Sequence, residues 1–132
     1  MAQVNAYLTF NGNCEQAFSF YKSAFGKEFQ YMGRYKDNQP ECEMTEEEGN
    51  RIMHVSLPIS EETVLMGSDA NEKFGNLPTF GNNIALSINT NSAEEADDLF
   101  NKLSKDGKIT MPMEKTFWGA YFGMFTDKFE IN

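Results

Sequence analysis

His54 is the only histidine in the 132 residues, so imidazole proton transfer or imidazole metal ligation has a single candidate. A lone histidine in a strand is more often a hydrogen-bonded structural residue, and we rank His54 as a pocket residue first and a proton-transfer group second. No Gly-x-Ser-x-Gly elbow surrounds any serine, and no carboxylate can be picked out to orient the imidazole, so no nucleophilic triad is legible. Cys14 falls in the expected first turn of a helix, where the helix dipole can lower a thiol pKa; the plainer reading is a small packing residue. Trp118, beside Phe117, Gly119 and Phe122, belongs to an aromatic cluster that can stack on a planar substrate or fill a core. Met66 and Ser68-Asp69 close the first half of the chain, and the soft Met66 side chain suits a pocket or a core equally.

The elements that must position these groups come from a weak internal repeat. NAYLTF at Asn5 to Phe10 is matched by NIALSI at Asn83 to Ile88, and each is followed by a helix start. Asn13 precedes Cys14-Glu15-Gln16 in the first copy, and Ser92 opens a Ser-x-x-Glu capping box in the second. The apolar spacing predicts helical faces of Ala17, Phe20, Tyr21 and Ala24, and of Ala96, Leu99, Phe100 and Leu103. Gly26 and Gly107 stand where a left-handed residue would end each helix. Strands are expected over Glu28 to Tyr35, Arg51 to Ile59, Thr63 to Gly67, Lys108 to Met113 and Ala120 to Phe125. Ser68 to Asn83 reads as a connecting loop, and the acidic stretch Glu41 to Gly49 as a solvated hairpin loop.

Period-two alternation turns the helices toward Leu8 and Phe10, Met53, Val55 and Leu57, Leu65, and Ile84, Leu86 and Ile88. The opposite face then carries Tyr7, Ile52, His54, Ser56, Met66, Ser68, Asn83 and Ser87. Such a sheet is either amphipathic with one face in water or curled round a cavity. A cleft holding Tyr7, His54, Met66, Ser68, Asn83, Ser87 and Trp118 would suit a small organic ligand with an apolar body and a few polar groups.

Composition limits the partners. Eleven basic against 20 acidic side chains give a charge of −9, which repels nucleic-acid phosphates. Eighteen aromatic residues supply a core for one domain. The longest apolar runs fall far short of the roughly 20 residues that span a bilayer, and the first residues lack a basic segment before an apolar one. The expectation is a cytoplasmic protein with no nucleic-acid or membrane partner. Cys14 and Cys42 lack a Cys-x-x-Cys spacing and read as reduced thiols, with a bridge left open.

The segments YLTFNGNCEQAFSFYKSAFG (Tyr7 to Gly26), IMHVSL, VLMGSD and TFWGAYFGMFTDKF (Thr116 to Phe129), in that order, resemble PhnB-like proteins of the glyoxalase, bleomycin-resistance and extradiol-dioxygenase superfamily, also called the vicinal oxygen chelate superfamily. The resemblance covers nearly the whole chain. It implies an α+β fold of paired βαβββ modules whose curved mixed sheets surround a cleft. The modules fall at about 1–69 and 83–132, with a linker of about 70–82, and a homodimer is the implied assembly.

Metal-dependent members of the superfamily place a histidine on the first strand and a carboxylate on the last strand of each module. Carried onto this chain, the histidine positions fall at Asn5 and Asn83, and the carboxylate positions at Met66 and at or near Glu130. Two amides and one carboxylate without a histidine make a poor transition-metal site. The expectation is therefore small-molecule binding with no cofactor and no conventional metal centre, the alternative being a divalent-metal-dependent lyase, isomerase or dioxygenase. Some members carry a label as a ubiquinone-pathway methyltransferase, but this chain has no glycine-rich strand-to-helix loop for a nucleotide and is short for a doubly wound methyltransferase.

Overall fold

The computed structural model describes residues 2–38, 43–71, 75 and 77–132. Cys42, part of the acidic stretch and part of the expected linker lie outside them. The chain is a mixed α+β protein and divides into two compact units, Met1–Thr79 and Phe80–Asn132. Among the described residues no helix is long and apolar enough to cross a membrane.

The first unit runs β1 (Tyr7–Phe10), α1 (Cys14–Phe25), β2 (Tyr31–Arg34), α2 (Tyr35–Asn38), α3 (Glu46–Asn50), β3 (Ile52–Pro58) and β4 (Val64–Asp69). Its sheet has the order β1-β4-β3-β2. β1 is parallel to β4, with Tyr7 beside Met66 and Thr9 beside Ser68. The other pairings are antiparallel; Ser56 joins Met66 to Tyr31, and Gly33 stands opposite His54. A bulge between Gly33 and Arg34 ends this regular register.

Helix α1 buries Cys14, Ala17, Phe18, Tyr21 and Ala24. This stripe passes through Phe18 rather than the expected Phe20, because Phe18 meets Phe10 edge-on at a centroid distance of 6.2 Å. Full burial of one such ring contributes about 1.5–3 kcal/mol. The helix ends at Gly26, whose φ of 65° places it in the left-handed region that glycine adopts without a steric penalty.

The N-terminus of α1 departs from expectation. Asn13 makes no side-chain cap. Asp69, at the far end of β4, does that work: its Oδ1 accepts the Gly12 and Cys14 N–H groups at 2.8 and 2.9 Å. Its Oδ2 accepts the Ile52 N–H at 2.9 Å. The acidic stretch is also corrected where it is described. Thr45 and Glu48 form a capping box that starts α3, so this segment is a helical turn rather than a hairpin loop.

The second unit contains α4 (Ala93–Leu103), β5 (Lys108–Lys115) and β6 (Tyr121–Thr126), with β5 and β6 antiparallel. Ser92 Oγ accepts the Glu95 N–H, while Glu95 reaches the Asn91 N–H instead of closing the box on Ser92. Asp106, with φ 63°, takes the left-handed position expected of Gly107. Phe100 packs edge-on against Phe125 at 5.3 Å.

The expected strand over Asn83 to Ile88 is not a strand, and Ile84, expected on the helix side, is 74% exposed. Alternation alone cannot make a strand; it needs a neighbour, as β1 has β4. After β6 the chain turns on Asp127, whose Oδ1 accepts the Phe129 and Ile131 N–H groups. The segment is pinned instead by Asn132, which accepts the Leu86 N–H through its backbone oxygen and donates from Nδ2 to the Gly81 and Ile84 oxygens. This unit thus departs from the expected strand, helix and three strands.

Candidate functional site

The sheet register of the first unit sets Tyr7, Tyr31, His54, Ser56 and Met66 on the face opposite the buried Phe10, Val55, Leu57 and Leu65. Tyr7, at 48% exposure, and Tyr31, at 44%, keep this face accessible. Their rings flank the imidazole: Tyr7 is stacked on His54 at a centroid distance of 5.7 Å, and Tyr31 is tilted against it at 5.9 Å. The Tyr7 hydroxyl lies 3.2 Å from His54 Nδ1. Ser68 shares the face as the neighbour of Thr9. Two residues depart from the expected polar row, since Ser56 is buried and so is Ile52.

Tyr31 was not singled out by the sequence reading, although it lies within the expected strand Glu28 to Tyr35. Gly33, two residues on, is the signal that points to it. A β-carbon on Gly33 would overlap the Tyr31 hydroxyl, so the ring can lean along the strand only because position 33 is bare.

A concavity of about 500 Å³ lies beside the start of α1, lined by Gly12, Glu15, Arg34, Glu47, Arg51 and Asp69 among others. The sequence reading did not find it, because its residues come from four separate stretches of the chain. Its two arginines are each paired: Arg34 holds Glu15 through two nitrogens at 3.1 and 2.7 Å. Arg51 reaches Glu47, Asn11 Oδ1 and the Ala70 oxygen, with its buried Nε left without a partner among the described residues, and Asp69 accepts three backbone N–H groups. These contacts tie α1 to β2 and β3 and leave no free cation among the described lining residues to recognise an anionic ligand. Cys14 sits in the same region, fully buried, and burial with the nearby Asp69 and Glu15 charges pushes its thiol pKa far up. That favours packing over nucleophilic chemistry.

The remaining sequence candidates belong to the second unit. Asn83 and Ser87 are exposed in the extended segment held by Asn132. Trp118 is 61% exposed in the turn between β5 and β6, edge-on to Phe117 at 4.9 Å. Glu130 lies in the turn after β6 with φ 68°.

Comparison with known proteins now places the chain. The family model described as 3-demethylubiquinone-9 3-methyltransferase matches residues 2–132. The chain belongs to that family. Within it, the chain is similar to Protein YjdN of Escherichia coli strain K12, at 29% identity over 97% of this chain and 90% of that protein. The crystal structure of protein PA1353 from Pseudomonas aeruginosa is similar at 37% identity and a TM-score of 0.83, covering 99% of this chain and 93% of that one. A putative 3-demethylubiquinone-9 3-methyltransferase, PhnB protein, from Bacillus cereus is similar at 27% identity and a TM-score of 0.75, covering 98% and 95%.

For this family member, the divalent-ion set implied by the superfamily resemblance can be tested in the first unit. Asn5 spends its side-chain oxygen on the Val64 N–H at 3.1 Å, and the position implied for the carboxylate carries only the Met66 thioether. These two residues do not fit a hard or borderline divalent ion. Among the described residues no group of three or more His, Cys, Asp or Glu side chains could hold a metal ion.

Proposed function

We propose that this chain binds a small, uncharged organic molecule on the face carrying Tyr7, His54 and Tyr31, and does so without a resident divalent ion. In this reading the fold is of the glyoxalase type, with Met66 and Ser68 beside the aromatic trio. The protein acts in the cytoplasm as a homodimer. The observation that carries the reading is the imidazole flanked by two exposed tyrosine rings on a sheet face that pairs no Asp, Glu, Lys or Arg ahead of the Gly33/Arg34 bulge, beyond which Arg34 is held by Glu15. Exposed rings around one polar group favour a ligand that stacks and makes few hydrogen bonds. Methyl transfer, the activity in the family's description, is not part of this reading, since the sequence has no glycine-rich strand-to-helix nucleotide loop.

The test combines elemental analysis of the purified protein with a ligand-observed NMR screen of small organic compounds on chelator-treated protein. The expected result is binding by metal-free protein, weakened roughly tenfold in Tyr31→Ala, as loss of one stacking partner implies. One tightly held transition metal per chain, required for every ligand found, would overturn the reading.

A further inference from the structure

The Tyr7–His54 pair specifies more than a stacking surface. Neutral imidazole has one nitrogen that accepts and one that donates, and the partner of one nitrogen decides the role of the other. The 3.2 Å contact engages Nδ1 with the Tyr7 hydroxyl. If Nδ1 carried the proton, the phenol would have to act as acceptor there and turn its own proton to water. With the phenol donating, the stronger donor meets the stronger acceptor, and the ring proton is left on Nε2. Among the described residues no hydrogen bond engages Nε2.

We propose that Tyr7 fixes His54 in its Nε2–H form, so that the exposed face of Tyr7, His54 and Tyr31 selects flat, uncharged aromatic molecules bearing a hydrogen-bond acceptor such as a carbonyl oxygen. This rests on the ligand-binding reading above and narrows it to a chemical class. The two rings supply the stacking surface. The Nε2–H supplies one directional contact to an acceptor at the ligand's edge. Ahead of the Gly33/Arg34 bulge the paired strand positions on the face supply no lysine or arginine to neutralise an anion, and Arg34 beyond it is taken by Glu15, so a carboxylate would lose hydration without a partner. Gly33, opposite His54, adds no side chain to this face.

Because His54 is the only histidine, its imidazole ¹⁵N signals are unambiguous in the full chain. Long-range ¹H–¹⁵N spectra, recorded where they show an uncharged ring, should display the Nε2–H form in the wild type and a mixture of forms in Tyr7→Phe. Three probes are then titrated while the same signals are followed: coumarin, naphthalene and 2-naphthoate. Coumarin should bind roughly tenfold more tightly than either of the others, the gain expected of one hydrogen bond. Its advantage over naphthalene should vanish in His54→Phe, which keeps a flat ring. If either variant fails to fold, the wild-type spectra and the three wild-type affinities still decide. A dominant Nδ1–H form, or equal binding of coumarin and naphthalene at this face, would overturn the donor assignment and leave the ligand-binding reading standing. Tightest binding by 2-naphthoate would overturn the chemical class. Failure of all three to shift the His54 signals would count against the ligand-binding reading itself.

Discussion

The Tyr31 hydroxyl occupies the space that a β-carbon on Gly33 would fill. It donates to Asn38 Oδ1 at 3.3 Å, and the ring leans along the strand with its centroid 5.9 Å from His54. The shape of the aromatic face thus depends on a missing side chain, at a position whose backbone conformation is open to any residue.

Gly33→Ala should separate binding from stability. The atoms it meets are the tips of Tyr31 and Asn38, which can swing away, so urea unfolding should show a change within about 1 kcal/mol. Coumarin affinity should fall about fivefold as Tyr31 leaves the imidazole, the order of one aromatic contact. Unchanged affinity would show that Tyr31 has no part in binding.

Asp69→Asn should cost far more. Asp69 is 2% exposed and its two oxygens accept three backbone N–H groups, one from β3 and two at the start of α1. An amide nitrogen in place of either oxygen confronts donors with a donor. Urea unfolding should show a loss of about 2–4 kcal/mol, the range for stranding buried hydrogen-bonding groups.

The Glu15–Arg34 pair predicts a small pH effect of definite sign. The hydrogen bonds from Arg34 hold the Glu15 carboxyl below its ordinary value of 4.5. A lowered folded-state pKa stabilises the protein above the unfolded value and loses that contribution as pH falls through the folded one. Both side chains are partly exposed, so the pair is worth a few tenths to about 1 kcal/mol. The stability gap between wild type and Glu15→Gln should be widest near neutral pH and close as the solution is acidified below pH 4.5, followed by thermal unfolding in matched buffers.

Several elements were readable from the sequence because they are set by local pattern. Alternation put Tyr7, His54 and Met66 on one face, and the register of β1, β3 and β4 places them there. The apolar spacing of Ala17, Tyr21 and Ala24 found the buried side of α1. What the sequence hid depends on residues far apart in the chain. Asp69 replaces Asn13 as the cap of α1 across 55 residues, and Phe18 displaces Phe20 because it meets Phe10. The Asn83 to Ile88 segment has the alternation of a strand, but a strand needs a paired neighbour, and among the described residues only the Leu86 N–H finds a backbone partner there, at Asn132. Tyr31 escaped notice because its role depends on the bare Gly33 beside it.

Cys14 should be chemically silent in the folded protein. Burial first, and then the charges of Asp69 and Glu15, keep it in the thiol form. In a Cys42→Ser background, a thiol-exchange reagent at pH 8 should leave Cys14 unmodified in native buffer and modify it fully in urea. Rapid native-state labelling would contradict its packing role.

The central claim is that metal-free protein holds a small organic molecule against Tyr7, His54 and Tyr31. Intermolecular nuclear Overhauser effects from bound coumarin, measured on chelator-treated protein, test it most directly. The account predicts contacts from the coumarin ring protons to all three side chains at saturation. Contacts confined to the residues around Arg34 and Arg51, or contacts that arise only after a divalent ion is added, would contradict it.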